Sequence, residues 1–352
     1  MIKKSLFIIG AGIVVFSCSS PNKTETNTET IDTVSVKNEI AEKAKAYFKV
    51  LPDNANNSNN EVTPEKVSLG KVLYFDNRLS KDKTQSCNSC HNLETYGVDN
   101  LPTSPGDNGG NGTRNSPTTL NSALHVSQFW DGRNKDVEEQ AGGPVLNPVE
   151  MAMPNEEAVV ERLSKVEMYQ KMFKEAFPND EKAITFKNMQ YAIGAFERTL
   201  LTPSKFDKFI AGDETALTEQ EQTGLKSFID NGCTTCHSGS LLGGNMLQKF
   251  ALFGNYWDLT NSSVVDSGKY AETKNKADMF IFKVPSLRNI EKTFPYFHDG
   301  SVANLGEAVK IMGKTELNKD LSDEDVKNIV IFLNTLTADL PADVKTKPKE
   351  LN

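Results

Sequence analysis

The spacing of apolar side chains divides the chain into helices separated by polar loops. One apolar series recurs at near-helical spacing between residues 185 and 200, at Phe186, Met189, Ile193, Phe196 and Leu200. This spacing predicts an amphipathic helix. A final helix is predicted to begin at Ser322-x-x-Asp325 and to bury Val326, Ile329, Val330 and Leu333. The pattern predicts a mostly α-helical protein.

The N-terminus has the pattern of an export signal. Lys3 and Lys4 precede an apolar run over residues 6–16 that is too short to span a bilayer, and Ser17-Cys18 follows. The sequence Val-Phe-Ser-Cys at 15–18 resembles a lipobox, which predicts a lipoprotein signal peptide over residues 1–17 and a lipid on Cys18. The alternative is an ordinary signal peptide with an incidental cysteine. We expect a periplasmic protein that is lipid-anchored to a membrane.

Composition sets the number of domains and the class of partner. A chain of 352 residues has room for about two domains, and 38% hydrophobic with 24% charged residues is typical of a globular protein. The net charge of −8 argues against nucleic acid and is compatible with a basic protein partner. The polar residues 18–45 predict a flexible tether. The predicted domains cover residues 46–203 and 204–341, followed by a tail at 342–352.

The five cysteines point to haem chemistry. Apart from Cys18, they form two Cys-x-x-Cys-His motifs, at Cys87, Cys90 and His91 and at Cys233, Cys236 and His237. A disulfide in each pair would not explain the adjacent histidine, and the long gap between the pairs fits no compact zinc knuckle. In a covalent c-type haem, two thiols add to the haem vinyl groups and the adjacent histidine reaches the iron. Two covalent haem c groups are therefore the favoured interpretation.

The segments before the two motifs indicate an internal duplication. Residues 70–76 and 224–230 both follow the pattern Gly-x-x-x-aromatic-apolar-Asp. Both lie late in predicted helices, which begin at Thr63-Pro64 and at the capping box Thr218-x-x-Glu221. A helix that leads into a Cys-x-x-Cys-His loop is how a small cytochrome c domain begins. The expected fold is two mostly α cytochrome c-type domains, each with one covalent haem c, and the last helix could pack on the first domain.

The whole folded part of the chain, from about residue 60 to 336, resembles the bacterial dihaem cytochrome c peroxidases. The matching segments are LPTS at 101–104, RNSPT at 114–118, QFWDGR at 128–133, EQ-x-x-GP at 139–144, VEM at 149–151, FERTL at 196–200, PSLRN at 285–289, PYFHDG at 295–300 and EAVKIMG at 307–313. The resemblance implies an enzyme that reduces hydrogen peroxide to water. The electrons would come from a small cytochrome c or a copper protein.

The resemblance also implies a role for particular residues. His91 would be the proximal ligand of the peroxide-reactive haem, and His237 and Met312 the axial ligands of the electron-accepting haem. Glu150 would be the acid–base residue in the peroxide pocket, with Gln140 as its hydrogen-bonding companion. The indole of Trp130 would lie between the haems; a plain core aromatic or core methionine is the alternative for Trp130 and Met312.

Two further expectations come from the family alone. Asn115, Thr293 and Pro295 match positions that bind a calcium ion between the domains, and their amide and carbonyl oxygens suit calcium. A homodimer is also expected from the family.

One position departs from the family pattern. Many of these peroxidases have the sequence LPTS-x-Gly-His, whose histidine caps the peroxide-reactive haem until the other haem is reduced. Asp107 stands at that position here. His125 or Asp107 could still act as the cap, but an open or water-bound haem is the main expectation, and Pro105 stiffens the loop. We therefore expect a peroxidase that is ready in its fully oxidised form.

Two other functions remain as alternatives. One is a dihaem oxidase that acts on a protein or other organic substrate, as a relative of these peroxidases does with a tyrosine in place of the methionine ligand. The other is a dihaem electron carrier. The presence of Met312 favours the peroxidase over the oxidase, and Glu150 with Gln140 argues against a pure carrier.

Overall fold

The computed structural model describes residues 31–351, and side chains from residue 39 onward. The predicted signal peptide and Cys18 lie outside these residues. Most regular structure in the described part is helical. The helices are α1 (Ile31–Tyr47), α2 (Pro64–Phe75), α3 (Cys87–Cys90), α4 (Val137–Leu146), α5 (Glu156–Ser164), α6 (Glu167–Ala176), α7 (Phe186–Glu197), α8 (Lys205–Ile210), α9 (Glu219–Asp230), α10 (Trp257–Thr260), α11 (Tyr270–Thr273), α12 (Leu305–Leu317), α13 (Asp323–Asn334) and α14 (Ala342–Lys345).

The three helix starts predicted from capping residues, at Thr63, Thr218 and Ser322, are confirmed, and the helix predicted from apolar spacing near residue 185 also begins at a capping residue, Thr185. The Thr63 and Thr185 hydroxyls accept hydrogen bonds from the third residue of α2 and of α7, at 3.3 and 3.0 Å. Thr218 and Ser322 do the same for α9 and α13, at 3.3 and 3.0 Å. Each hydroxyl satisfies a backbone N–H that has no partner inside the helix, which fixes where the helix begins.

The same helix packing occurs twice, once before each Cys-x-x-Cys-His motif. Gly70 in α2 lies against α7, and Gly224 in α9 lies against α13. A Cβ atom at Gly70 would be 1.9 Å from the carbonyl oxygen of Ala192, and one at Gly224 would be 2.2 Å from that of Asn328. Both glycines are therefore required by close helix contact. The shared geometry agrees with the predicted duplication.

Two hydrophobic cores correspond to the two helical units. The first core joins α2, α4, α5, α6 and α7, and includes Leu69, Leu73, Tyr169, Phe173 and Ile193. The second joins α1, α8, α9 and α13 around an aromatic cluster of Phe48, Phe206, Phe228 and Phe332, whose neighbouring rings lie 5.2–6.4 Å apart. Such aromatic pairs stabilise a core beyond their buried area.

The prediction of a flexible tether over residues 18–45 is wrong for residues 31–45. Residues 31–45 lie in α1, and Ile40, Ala41 and Ala44 are buried in the second core. The reason is an apolar spacing of three to four residues, which gives this polar segment one buried helical face. The segment that precedes the first domain in sequence thus packs on the second unit.

The last predicted helix also differs from expectation. Helix α13 packs on α9 inside the second unit, and it buries Phe332, whereas the predicted Val330 is half-buried. The segment that reaches the first unit is the end of the chain: Val344 and Leu351 of the predicted tail, with Leu340 just before it, pack against the core around Tyr74.

A two-stranded antiparallel sheet connects the units. It consists of β1 (Leu247–Lys249) and β2 (Ile281–Lys283), with Leu247 opposite Lys283. The backbone N–H of Lys283 donates to the carbonyl of Trp130 at 2.6 Å. The sheet therefore holds the segment around Trp130 against the second unit.

Candidate active site

The first Cys-x-x-Cys-His motif forms a single helical turn that fixes its histidine. The His91 N–H donates to the Cys87 carbonyl at 2.9 Å, and the Tyr74 hydroxyl of α2 donates to the His91 carbonyl at 2.6 Å. The His91 Nδ1 lies 2.9 Å from the carbonyl oxygen of Pro117. Because a carbonyl only accepts, Nδ1 carries the proton, and the lone pair is on Nε2.

The second motif repeats this arrangement. The His237 N–H donates to the Cys233 carbonyl at 3.0 Å, and Nδ1 lies 2.9 Å from the carbonyl oxygen of Leu242. The next residue, Gly243, has a φ of +128°, and a Cβ there would be 2.1 Å from the Pro285 carbonyl oxygen and 3.2 Å from the His237 ring. The loop can therefore only pass beside the imidazole because residue 243 is glycine.

The two motifs fit haem iron better than the alternatives. No disulfide joins either cysteine pair in the part of the chain that the structure describes. Within residues 39–351, no cluster of three or more His, Cys, Asp and Glu side chains has the geometry of a metal site, so nothing in this part of the chain supports the zinc arrangement. An imidazole whose Nδ1–H is fixed by a carbonyl presents Nε2 as a metal ligand.

Met312 lines the same cavity as the second motif. Helix α12 carries Met312 into a cavity with mostly apolar walls, and the same cavity is lined by Cys233, Cys236 and His237. The Met312 thioether sulfur is an atom that can ligate haem iron, and apolar walls suit a haem group.

Glu150 lies near the first motif, in a turn after α4. Burial raises the pKa of Glu150, against the opposing effects of Arg133 and of a hydrogen bond with Asn147. The Glu150 carboxylate in turn contributes to the raised pKa of Cys90, so the two groups lie within electrostatic range. A half-buried carboxyl near the first motif, with its pKa raised by burial, holds a proton to a higher pH than an ordinary glutamate.

Gln140 lies on α4, one helical turn before Pro144. The Met151 N–H donates to the Pro144 carbonyl at 3.2 Å, which folds the Glu150 turn back onto this end of the helix. The fold therefore brings the two predicted peroxide-pocket residues to the same region, although no hydrogen bond joins their side chains among those described.

The Asp107 carboxylate is used within its own loop. It accepts hydrogen bonds from the Asp82 N–H at 2.5 Å, the Thr84 N–H at 3.1 Å and the Thr84 hydroxyl at 2.6 Å. Its own N–H donates to the Glu150 carbonyl at 2.7 Å. Asp107 is 8% exposed. These contacts tie the loop to both the 82–84 turn and the Glu150 turn, and they leave little capacity on the carboxylate for iron.

His125 lies in the second unit's cavity, beside Lys283 and Gly244. This position is shared with His237 and not with His91. This position does not add support to the alternative in which His125 caps the first haem.

Trp130 and the three predicted calcium residues line the same cavity as His237. The Trp130 indole N–H donates to the Asn115 carbonyl at 2.9 Å. The Asn115 side-chain nitrogen donates to the Leu101 carbonyl at 2.9 Å, which leaves its Oδ1 as the atom suited to a cation. Thr293 and Pro295 line the same cavity. The three positions are thus brought together, with neutral oxygens as donors.

Comparisons with known proteins agree with this geometry. The family model described as di-haem cytochrome c peroxidase matches residues 64–215. The chain is 47% identical to cytochrome c551 peroxidase of Nitrosomonas europaea over 285 residues, 80% of this chain and 83% of that protein. It is 42% identical to cytochrome c551 peroxidase of Pseudomonas aeruginosa, over 88% of this chain and 92% of that protein.

This chain belongs to the di-haem cytochrome c peroxidase family. It is a peroxidase that reduces hydrogen peroxide. A solved MauG-like protein associated with microbial copper homeostasis is similar in structure, with a TM-score of 0.75 and 28% identity over 85% of this chain and 97% of that chain. The family implies two haem groups and a small electron-donor protein.

Sequence reasoning assigned no role to Arg133, although it lies in the quoted QFWDGR segment. In this peroxidase its guanidinium stacks on the Phe129 ring at 3.4 Å and pairs with Asp131 at 2.7 Å. Its positive charge also opposes the rise that burial causes in the pKa of Glu150. Arg133 therefore acts electrostatically on Glu150, and its place between Trp130 and Gln140 in the sequence was the available signal.

A buried polar network that joins the two units was also not predicted. The Thr202 hydroxyl lies 2.8 Å from the Asn121 side-chain nitrogen and 2.9 Å from that of Asn289. Asn121 belongs to the first unit and Asn289 to the second.

None of the helices in the part of the chain that the structure describes is long and apolar enough to cross a membrane.

Proposed function

We propose that this peroxidase reduces hydrogen peroxide at the His91 side and receives electrons at the His237 side. Each turnover consumes one peroxide, two electrons and two protons, and releases two water molecules. Two haem c groups, bound covalently to cytochrome c-type domains over residues 46–203 and 204–341, would supply the redox-active iron. The electron donor is a small cytochrome c or a cupredoxin.

Glu150 is the residue that moves the proton. Cleavage of the O–O bond needs a proton taken from one peroxide oxygen and delivered to the other, which leaves as water. A carboxyl group with a raised pKa is suited to both steps, because it retains its proton to a higher pH than an ordinary glutamate and can still ionise. The positive charge of Arg133 opposes the rise in this pKa and favours the ionised form of Glu150, which accepts the first proton.

Gln140 orients the peroxide for this transfer. Its amide carries both donors and an acceptor, so it can bind either oxygen of a neutral peroxide. Its place on α4, close to the folded-back Glu150 turn, supports this role.

Electrons enter through the His237 and Met312 pair. This donor set raises the reduction potential, which favours acceptance of an electron from a soluble donor. The Trp130 indole then lies on the route to the His91 side, because it lines the same cavity and bonds to the Asn115 backbone.

We further propose that the enzyme is ready in its fully oxidised form. The observation that carries this is Asp107: the residue at the switching position is a carboxylate that three donors of the 82–84 turn hold in place. A loop fixed in this way has no imidazole to withdraw. Rapid mixing of the fully oxidised protein with peroxide should give reaction without a lag, and the same rate after one-electron pre-reduction. A lag that pre-reduction removes would contradict this proposal.

The remaining expectations are proposals of the same kind. Export to the periplasm with a lipid anchor at Cys18, a calcium ion held by Asn115, Thr293 and Pro295, and a homodimer each follow from the sequence and the family. Mass spectrometry of the mature protein, metal analysis and light scattering test the three in turn.

A further inference from the structure

The cavity of the second unit contains a buried basic pair. Lys283, the last residue of β2, is 5% exposed, and its Nζ lies 3.0 Å from Nδ1 of His125. Both residues line the cavity that also holds Cys236 and His237. The remaining wall of this cavity is mostly apolar, so the pair stands out as its main concentration of positive charge.

The pair has no acidic partner within the described part of the chain. No ion pair among residues 39–351 includes Lys283, and the Nε2 atom of His125 is buried without a hydrogen-bond partner. Burial lowers the pKa of Lys283 to about 8, and burial together with Lys283 lowers that of His125. An uncompensated buried charge costs several kcal/mol, so a fold keeps one when something balances it.

The free polar groups of Lys283 and His125 are hydrogen-bond donors, so their partner must be an acceptor. A lysine ammonium can only donate, so Nδ1 of His125 accepts from it, and the proton of the neutral imidazole is then on Nε2. Lys283 retains two further N–H groups, and His125 retains one. The pair thus presents donors alone, which fits a carboxylate better than a neutral ligand.

The backbone holds these donors in place. The Lys283 N–H donates to the Trp130 carbonyl at 2.6 Å, and the Val126 N–H donates to the Gly244 carbonyl at 2.9 Å. A Cβ atom at Gly244, where φ is +72°, would be 2.6 Å from Cδ2 of His125. The imidazole therefore has a fixed seat that requires glycine at position 244.

We propose that Lys283 and His125 bind a carboxylate of the haem held at His237, and that this contact raises the reduction potential of that haem. A porphyrin carboxylate is attached to the group that fills the cavity, so it reaches the pair without the entropic cost of capturing a free anion. A nearby cation stabilises the reduced, more negative state. The inference rests on the proposed assignment of the second haem to His237 and Met312.

The test is a spectroelectrochemical titration of the intact two-haem protein carrying Lys283→Met. At a fixed ambient potential, we expect the ratio of reduced to oxidised second haem to fall about tenfold, which is about 59 mV for one electron. Lys283→Arg, which keeps the charge, should restore most of the ratio. Lys249→Met is the matched control, because Lys249 is exposed on the paired strand β1 and should leave the ratio unchanged. If Lys283→Met does not fold, His125→Phe should shift the ratio in the same direction.

Three results would overturn the inference. One is an unchanged ratio in Lys283→Met or His125→Phe. Another is a wild-type ratio that depends on chloride or phosphate at constant ionic strength and loses this dependence in Lys283→Met, because the anion would then be a free one. A third is a Met312→Ala protein whose second-haem spectrum matches the wild type. That last result would remove the ligand assignment itself, and is thereby distinguishable from a failure of the Lys283 contact alone.

Discussion

The Asp107 carboxylate gives a prediction whose size follows from the structure. Burial raises the pKa of Asp107, but hydrogen bonds from Thr84 and Asp82 outweigh it and lower the pKa from 3.8 to about 2. At about 1.4 kcal/mol per unit of pKa, the ionised carboxylate stabilises the folded loop by about 2.5 kcal/mol. This contribution is present in full above about pH 4 and is lost as the pH falls towards 2.

The perturbation is Asp107→Asn, which keeps the shape and removes the charge. If the loop opens locally, its opening equilibrium at pH 7 should rise about 60-fold, the factor that about 2.5 kcal/mol represents. Hydrogen–deuterium exchange measured on peptides that cover residues 80–85 and 104–112 reports this change, because the Asp82, Thr84 and Asp107 amides are protected by the contact or lie in it.

Asp82→Asn is the control for this measurement. The Asp82 side chain is exposed, and only its backbone N–H takes part in the contact, so exchange should stay at the wild-type rate. An Asp107→Asn protein whose exchange remains within twofold of wild type would refute the claim that the carboxylate fixes the loop.

Three further predictions concern the pocket, the fold and the cation site. Glu150→Gln should lower kcat/KM for peroxide by about 10²–10⁴-fold, while the exposed Glu156→Gln leaves it unchanged; in the wild type the acid side of the pH profile should lie above the ordinary glutamate value of 4.5, because the pKa of Glu150 is raised, and this limb should vanish in the variant. Gly70→Ala should lower the free energy of unfolding by about 2 kcal/mol or more, since its Cβ meets a carbonyl 1.9 Å away, whereas Gly112→Ala, with nothing nearer than 3.8 Å, should not; equal denaturation curves would contradict this. Asn115→Ala should abolish calcium binding measured by calorimetry, and wild-type affinity should be modest because the three donors are neutral oxygens; retained binding would remove Asn115 from the site.

The helices of this peroxidase were predictable where local rules and packing agree. Thr63, Thr185, Thr218 and Ser322 cap helices because their side chains satisfy N–H groups, a local effect that sequence displays directly. Helix α1 was not predicted, because its buried face is short and its surroundings are polar. Only contact with the second core decides its structure.

In the candidate site, too, the features set by local sequence were predictable, and the contacts between residues far apart in sequence were not. The Cys-x-x-Cys-His motifs are local, and both imidazoles are held as their chemistry requires. The Lys283 and His125 pair joins residues 158 positions apart, and nothing near either residue indicates the other. The role of Asp107 was recognised only as a missing histidine, because its hydrogen bonds to residues 82 and 84 depend on how two loops meet.

The most direct test of a ready, uncapped first haem is the electron paramagnetic resonance spectrum of the fully oxidised protein. The account predicts a high-spin ferric signal from the haem at His91 beside a low-spin signal from the haem at His237 and Met312. Two low-spin signals would show that a protein side chain caps the first iron, and would contradict the central claim.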